Sequence, residues 1–276
     1  METVSTARAH GGVQGVYRHP SSATRTDMTF SVFLPPQAER GPVPVVWYPS
    51  GLNCTHANVT DKGEYRRACA DLGLAFVAPD TSPRGAGVAD DPAYDMGQGA
   101  GFYVDATEAP WAAHFGMWSY VTAELPVLIA RGFPVDMGRQ AITGHSMGGH
   151  GALTIGLTFP ERFRAVSAFA TIVAPSRVTW GEKALTAYLG PERGSWRRHD
   201  AVALIEDGAR LPALLVDQGE ADQFLAEQLR PWLLRQACAT AGIELTLRMQ
   251  PGYDHSYHFV STWMADHLAW AAARLR

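Results

Sequence analysis

Residues 140–153 read Gln-Ala-Ile-Thr-Gly-His-Ser-Met-Gly-Gly-His-Gly-Ala-Leu, and the fold is decided there. Gln140–Thr143 has the apolar, β-branched character of a buried strand, and the run beyond Gly148 predicts a helix to about Thr158. Between them Gly144-His145-Ser146-Met147-Gly148 fits the pattern G-x-S-x-G, a sharp strand-to-helix turn that lifts a serine hydroxyl above a sheet. The glycines have a physical reason, since such a turn leaves no room for side chains at its corners. Gly149 and Gly151 extend that logic to close helix packing. The other reading is a Gly-rich turn with an idle serine; the position between strand and helix favours a nucleophile.

Working outward, Thr29–Leu34 alternates as a strand, and Val43–Tyr48 and Leu74–Ala78 are short apolar runs expected of strands covered on both faces. Helical periodicity marks Glu64–Leu72 and Met117–Arg131. Thr81–Ala106 is rich in Gly, Pro and Asp, a loop long enough to suggest a functional role. After the serine turn come strand Ala165–Ala170, a segment from about Val173 to Asp200 expected to be irregular, strands Ala213–Asp217 and Glu244–Met249, and helices Leu225–Thr240 and Tyr257–Leu275. Strands alternating with helices predict an α/β fold of the α/β-hydrolase type, with a mostly parallel central sheet and helices on both faces.

The 276 residues suit one domain, 1–276, and no repeat or linker interrupts them. A net charge of −4 gives no reason to expect nucleic acid or an anionic membrane as partner. Met1–His10 is polar and mixed, unlike a signal peptide, and no run approaches the roughly 18 apolar residues of a membrane span. Cys54, Cys69 and Cys238 make an odd count without metal-type spacing, so a reduced cytoplasmic setting is expected. His255 and His258 with the adjacent Asp254 lack a third ligand, and neither a metal nor a cofactor is expected. The expected partner is a small-molecule substrate. A homodimer is the assembly carried forward, although the sequence does not fix the oligomeric state.

A serine hydroxyl needs a base, and in this fold the partners follow in the order serine, acid, histidine. His255, His258 and His267 lie beyond the last predicted strand; His255, in the polar turn after it, is best placed to reach the top of the sheet. His258 reads as a surface or capping residue and His267 as a packing residue. Asp217, Glu220 and Asp222 all qualify as the acid: Asp217 ends a strand, and Asp222 lies farther into the loop. One oxyanion N–H belongs to Met147, after the serine, and a second to the loop Pro49-Ser50-Gly51-Leu52-Asn53-Cys54, whose other reading is an ordinary turn.

Over nearly its whole length the chain resembles the S-formylglutathione hydrolase (esterase D) family. The likeness is carried by Ser50-Gly51-Leu52, Cys54-Thr55, Pro79 to Gly85 (PDTSPRG), Gly99 to Thr107 (GAGFYVDAT) and Gly144 to Leu153. It continues in Val166 to Ala170, Tyr188-Leu189-Gly190, Asp217-Gln218-Gly219 and Gly252 to Tyr257 (GYDHSY). The resemblance implies a triad of Ser146, Asp222 and His255, and oxyanion N–H groups from Leu52 and Met147. It also implies a thiol beside the site at Cys54 and an acyl-pocket wall at Trp180, whose other reading is a core tryptophan. Pro49, Asn53, Gly116, Thr179 (with Val178) and His258 depart from the family pattern and are expected at the pocket rim. The implied reaction is hydrolysis of S-formylglutathione to formate and glutathione. A short-chain carboxylesterase with the same triad is the alternative; an idle scaffold is disfavoured by the intact triad and oxyanion glycine.

Overall fold

The computed structural model describes residues Met1 to Arg276. Nine strands form one sheet: β1 (Glu2–Ala9), β2 (Gly12–Ser21), β3 (Thr26–Leu34), β4 (Val43–Trp47), β5 (Ala75–Pro79), β6 (Val135–His145), β7 (Phe163–Phe169), β8 (Ala213–Gly219) and β9 (Glu244–Gln250). Their spatial order is β1-β2-β3-β5-β4-β6-β7-β8-β9. The first three run as an antiparallel meander that meets β5 antiparallel, and every pairing from β5 through β4 to β9 is parallel. Helices His56–Lys62, Tyr65–Leu72 and Tyr257–Arg274 pack together on one face, and Met147–Thr158, Ala201–Glu206 and Pro231–Ala241 cover the other. Cover on both faces explains why β4 and β5 read as nearly continuous apolar runs. No helix is long and apolar enough to cross a membrane.

The chain leaves β4 toward β5 on one side and returns to β6 on the other. That reversal opens a crevice at the carboxyl ends of β4 and β6, where open α/β sheets bind ligands. The loops after β4, β6, β8 and β9 all end there.

Four features differ from the sequence-based expectations. The N-terminal hairpin β1–β2 was not expected: β1 is exposed along nearly all its length, so it carries no apolar alternation. Its two-residue turn His10-Gly11 has φ of 49° and 77°, the left-handed pair that matches strand twist. The helix expected over Met117–Arg131 is interrupted by a wide turn at Tyr120–Glu124. Pro126 has no N–H for the carbonyl of Thr122, which instead accepts from Arg162 Nη1 at 2.7 Å. The helix expected over Leu225–Thr240 breaks at Arg230, whose φ is 48°, because Pro231 disfavours the helical conformation in the residue before it. Finally, the segment 173–200 is largely helical, with an 11-residue helix at Thr179–Leu189.

Candidate active site

Ser146 stands between β6 and helix Met147–Thr158 with φ of 58° and ψ of −120°. Non-glycine residues rarely adopt this conformation, and it persists only where the surroundings over-determine it. Here they do. Ser146 N–H donates to Phe169 O at 2.9 Å, and a Cβ on Gly148 would lie 2.1 Å from Pro49 O. The β4 loop is thus pressed directly against the turn, and only glycine fits.

That loop presents Leu52, whose N–H donates to no protein acceptor. Met147, as first residue of its helix, has an N–H that no carbonyl of the helix can accept. The loop is held from behind. Thr81 Oγ1 and Arg84 Nη2 (2.9 Å) both donate to Cys54 O, Arg84 pairs with Asp80 at 3.0 Å, and Asn53 N–H donates to Gly99 O at 2.9 Å. These contacts give the PDTSPRG and GAG stretches a physical role. Asn53 has φ of 60°, a left-handed conformation that asparagine tolerates better than β-branched residues do.

His255, in the loop after β9, bonds through Nδ1 to Asp222 Oδ2 at 2.6 Å. Asp222 lies three residues past β8. Its Oδ1 accepts from Phe224 N–H at 2.8 Å and its Oδ2 also from Gln218 Nε2 at 3.2 Å. Gln218 was missed as a site residue; its only signal was the Asp217-Gln218-Gly219 stretch.

The other two carboxylates go elsewhere. Glu220 is exposed. Asp217 is fully buried and accepts from Arg248 (Nε 2.8 Å, and Nη2), Gln250 Nε2 at 2.9 Å and His267 Nε2 at 2.9 Å. Burial pushes its carboxyl up, but the bonds from His267 and Arg248 outweigh that and hold it below the usual range. His267 also bonds Ser167 Oγ at 2.9 Å, so a second serine–histidine–aspartate line exists, sealed in the core. His258 is exposed at the start of the last helix and joins neither carboxylate.

Ser146 and His255 open on a cavity of about 130 Å³ lined also by Gly51, Leu52, Cys54, Tyr94, His145, Trp180 and Phe224. Trp180 packs on Phe224 at 4.6 Å and on Tyr94 at 5.8 Å between ring centroids. It is therefore a wall of this cavity. Its helix is fixed by Gln228, which accepts from Trp180 N–H at 3.1 Å and donates to Thr179 Oγ1 at 2.6 Å, and by the pair Lys183–Asp95 at 2.6 Å. The Cys54 thiol is raised by burial. Cys69 and Cys238 are buried on helices away from the cavity.

His145 was also missed as a site residue. Its ring lies 4.6 Å from that of His255, both its nitrogens lack partners, and burial pushes its pKa far below the ordinary value. A neutral ring therefore backs the imidazole. None of the five departures lines this cavity itself: Asn53 sits between its lining residues Leu52 and Cys54, and His258 lines a neighbouring groove with Tyr257. Gly116 packs against the β2–β3 turn, where a Cβ would meet Ala23 O at 2.3 Å, and Thr179 works behind Trp180. No group of three or more His, Cys, Asp or Glu is gathered to hold a metal ion.

Fold and site together define a serine hydrolase with the α/β-hydrolase fold. A family model named Esterase matches residues 21–273. The chain is 58% identical over 274 residues (99% of this chain, 98% of the relative) to S-formylglutathione hydrolase of Paracoccus denitrificans strain Pd 1222. It is 47% identical over 272 residues (97% and 96%) to that of Mus musculus. The solved S-formylglutathione hydrolase of Agrobacterium tumefaciens superposes with a TM-score of 0.99 at 58% identity, covering 100% of both chains. The chain belongs to the esterase family and, within it, to the S-formylglutathione hydrolases.

Proposed function

We propose that the chain hydrolyses S-formylglutathione to formate and glutathione through Ser146, His255 and Asp222. The observation that carries the reading is the His255–Asp222 bond of 2.6 Å beside a serine held on a strained turn. Ser146 Oγ attacks the formyl carbon while His255 Nε2 takes its proton, and Asp222 fixes the tautomer and stabilises the imidazolium that forms. The N–H groups of Leu52 and Met147 receive the oxyanion. Collapse of the tetrahedral intermediate expels the glutathione thiolate, which takes up the proton from His255. Water then attacks the formyl ester, His255 acting first as base and then returning a proton to Ser146. The cavity of about 130 Å³ suits a one- or two-carbon acyl group.

Three further expectations go with this reading. One sheet and one continuous core support a single domain over residues 1–276. Three free thiols suit a reduced cytoplasmic setting. A homodimer is decided by sedimentation of the purified chain. The activity is tested by specificity constants on S-formylglutathione and p-nitrophenyl acetate. A strong preference for the thioester is expected, and a preference for the ester would favour a general short-chain carboxylesterase instead.

A further inference from the structure

The acyl cavity is too small for a tripeptide, so the thiol leaving group must lie outside it. Beside the His255 loop runs a groove of about 440 Å³ lined by Lys62, Glu64, Ser256, Tyr257, His258 and Ser261. It lies between the end of helix His56–Lys62, which leads away from the oxyanion loop, and the start of helix Tyr257–Arg274, which follows His255. Tyr257 stands between the groove and the reaction centre, its ring meeting that of His145 at 5.6 Å.

The groove holds one cation and one anion, both unengaged. The chain has two lysines; Lys183 is paired with Asp95, whereas Lys62 is exposed and makes no ion pair. Glu64 is exposed and its side chain caps nothing. A simple anion drawn to Lys62 would be repelled by Glu64, but a zwitterion satisfies both. The distance also fits. Seven helical residues at ~1.5 Å each place Lys62 about 10 Å from the oxyanion loop, roughly the extended span from the cysteine sulfur of glutathione to its γ-glutamyl carboxylate.

We propose that this groove seats the γ-glutamyl end of the thiol leaving group, its carboxylate on Lys62 and its ammonium on Glu64; the assignment rests on the thioester reading of the site. The test compares S-formylglutathione with S-formyl-N-acetylcysteinylglycine, which lacks that zwitterion. The readout is the ratio of their kcat/KM values, in which any general damage to catalysis cancels. Removing an exposed charge in Lys62→Gln should lower the ratio about threefold, and reversing it in Lys62→Glu about tenfold, through KM. Glu64→Gln should lower it about threefold, and added salt should lower it in the parent enzyme. An unchanged ratio in Lys62→Glu overturns the groove assignment. So does a parent enzyme that hydrolyses both thioesters equally well, an outcome that leaves the thioester reading standing. Hydrolysis of p-nitrophenyl acetate but of neither thioester would sink that reading, and the assignment with it.

Discussion

Replacing Asp222 by asparagine sets two orientations of the amide against each other. In one, the amide oxygen keeps the bonds from His255 Nδ1 and Gln218 Nε2, and the NH₂ then faces Phe224 N–H, which now approaches Oδ1 at 2.8 Å. In the other, the oxygen keeps Phe224 N–H and the NH₂ donates to His255 Nδ1, while a flip of the Gln218 amide turns its Oε1, which has no partner in the native protein, toward the NH₂ at the loss of the Nε2 bond to Gly219 O. The second satisfies every group of the asparagine, while the first leaves a buried N–H unmet at a cost of about 1–3 kcal/mol. It also forces the proton onto His255 Nε2, so the ring cannot accept from Ser146. Loss of the carboxylate charge removes stabilisation of the imidazolium as well. Together these should lower kcat about 10³- to 10⁴-fold, equivalent to about 4–5.5 kcal/mol. Asp217→Asn is the control, because Asp217 faces Arg248 and His267 in the core. It should cost kcat less than about tenfold while lowering stability by about 2–4 kcal/mol, since Arg248 keeps its pair with Asp266 at 2.9 Å. The assays are p-nitrophenyl acetate turnover and urea unfolding of both variants. If Asp217→Asn proves the worse enzyme, or Asp222→Asn keeps a tenth of parental kcat, the assignment of the acid is wrong.

Ser146→Ala should lower kcat at least about a thousandfold with an unchanged urea midpoint or a higher one, because the strained turn is relieved of nothing it needs for folding; near-parental turnover would remove Ser146 from the chemistry. With a cavity of about 130 Å³, each methylene beyond propionate should cost about tenfold or more in kcat/KM on p-nitrophenyl esters, and Trp180→Ala should flatten that series; equal rates on acetate and octanoate by the parent refute the small pocket. N-ethylmaleimide should inactivate the parent but not Cys54→Ser, and because burial raises the thiol, the rate should still be climbing above pH 9. Asp217 should make stability acid-sensitive: its carboxyl is held below the unfolded value, so its contribution is complete above about pH 4 and is lost as pH falls through the folded pKa. Urea titrations between pH 2 and 6 should therefore converge for the parent and Asp217→Asn at the acid end.

The serine turn was legible in the sequence because its constraints are local: a strand, two glycines at corners without space, and a helix-forming run. His255 was legible because strand order places the loop after β9 at the same sheet edge as Ser146. The acid was legible only through the family resemblance, which implies Asp222, and the reason is geometric. Asp217, Glu220 and Asp222 lie within six residues, and the register that pairs Asp217 with Arg248 across β8 and β9 turns the first into the core. Only the three residues beyond the strand carry a carboxylate back to His255, and nothing in composition fixes how that loop folds. His145 was hidden for a related cause, since it acts through a contact with the distant His255; Gln218 was hidden by the fold of the loop itself, which turns Asp222 back onto its amide. The β1–β2 hairpin escaped for the opposite reason: an exposed strand has no buried face to write a pattern, and its one sign, the His10-Gly11 turn, is two residues long. Contacts far apart in the chain thus decide the chemistry, while local pattern decides the scaffold. Lys62 and Glu64 follow the same rule, because only the packing of helix His56–Lys62 against Tyr257–Arg274 brings their unengaged charges into one groove with Ser256 and Tyr257.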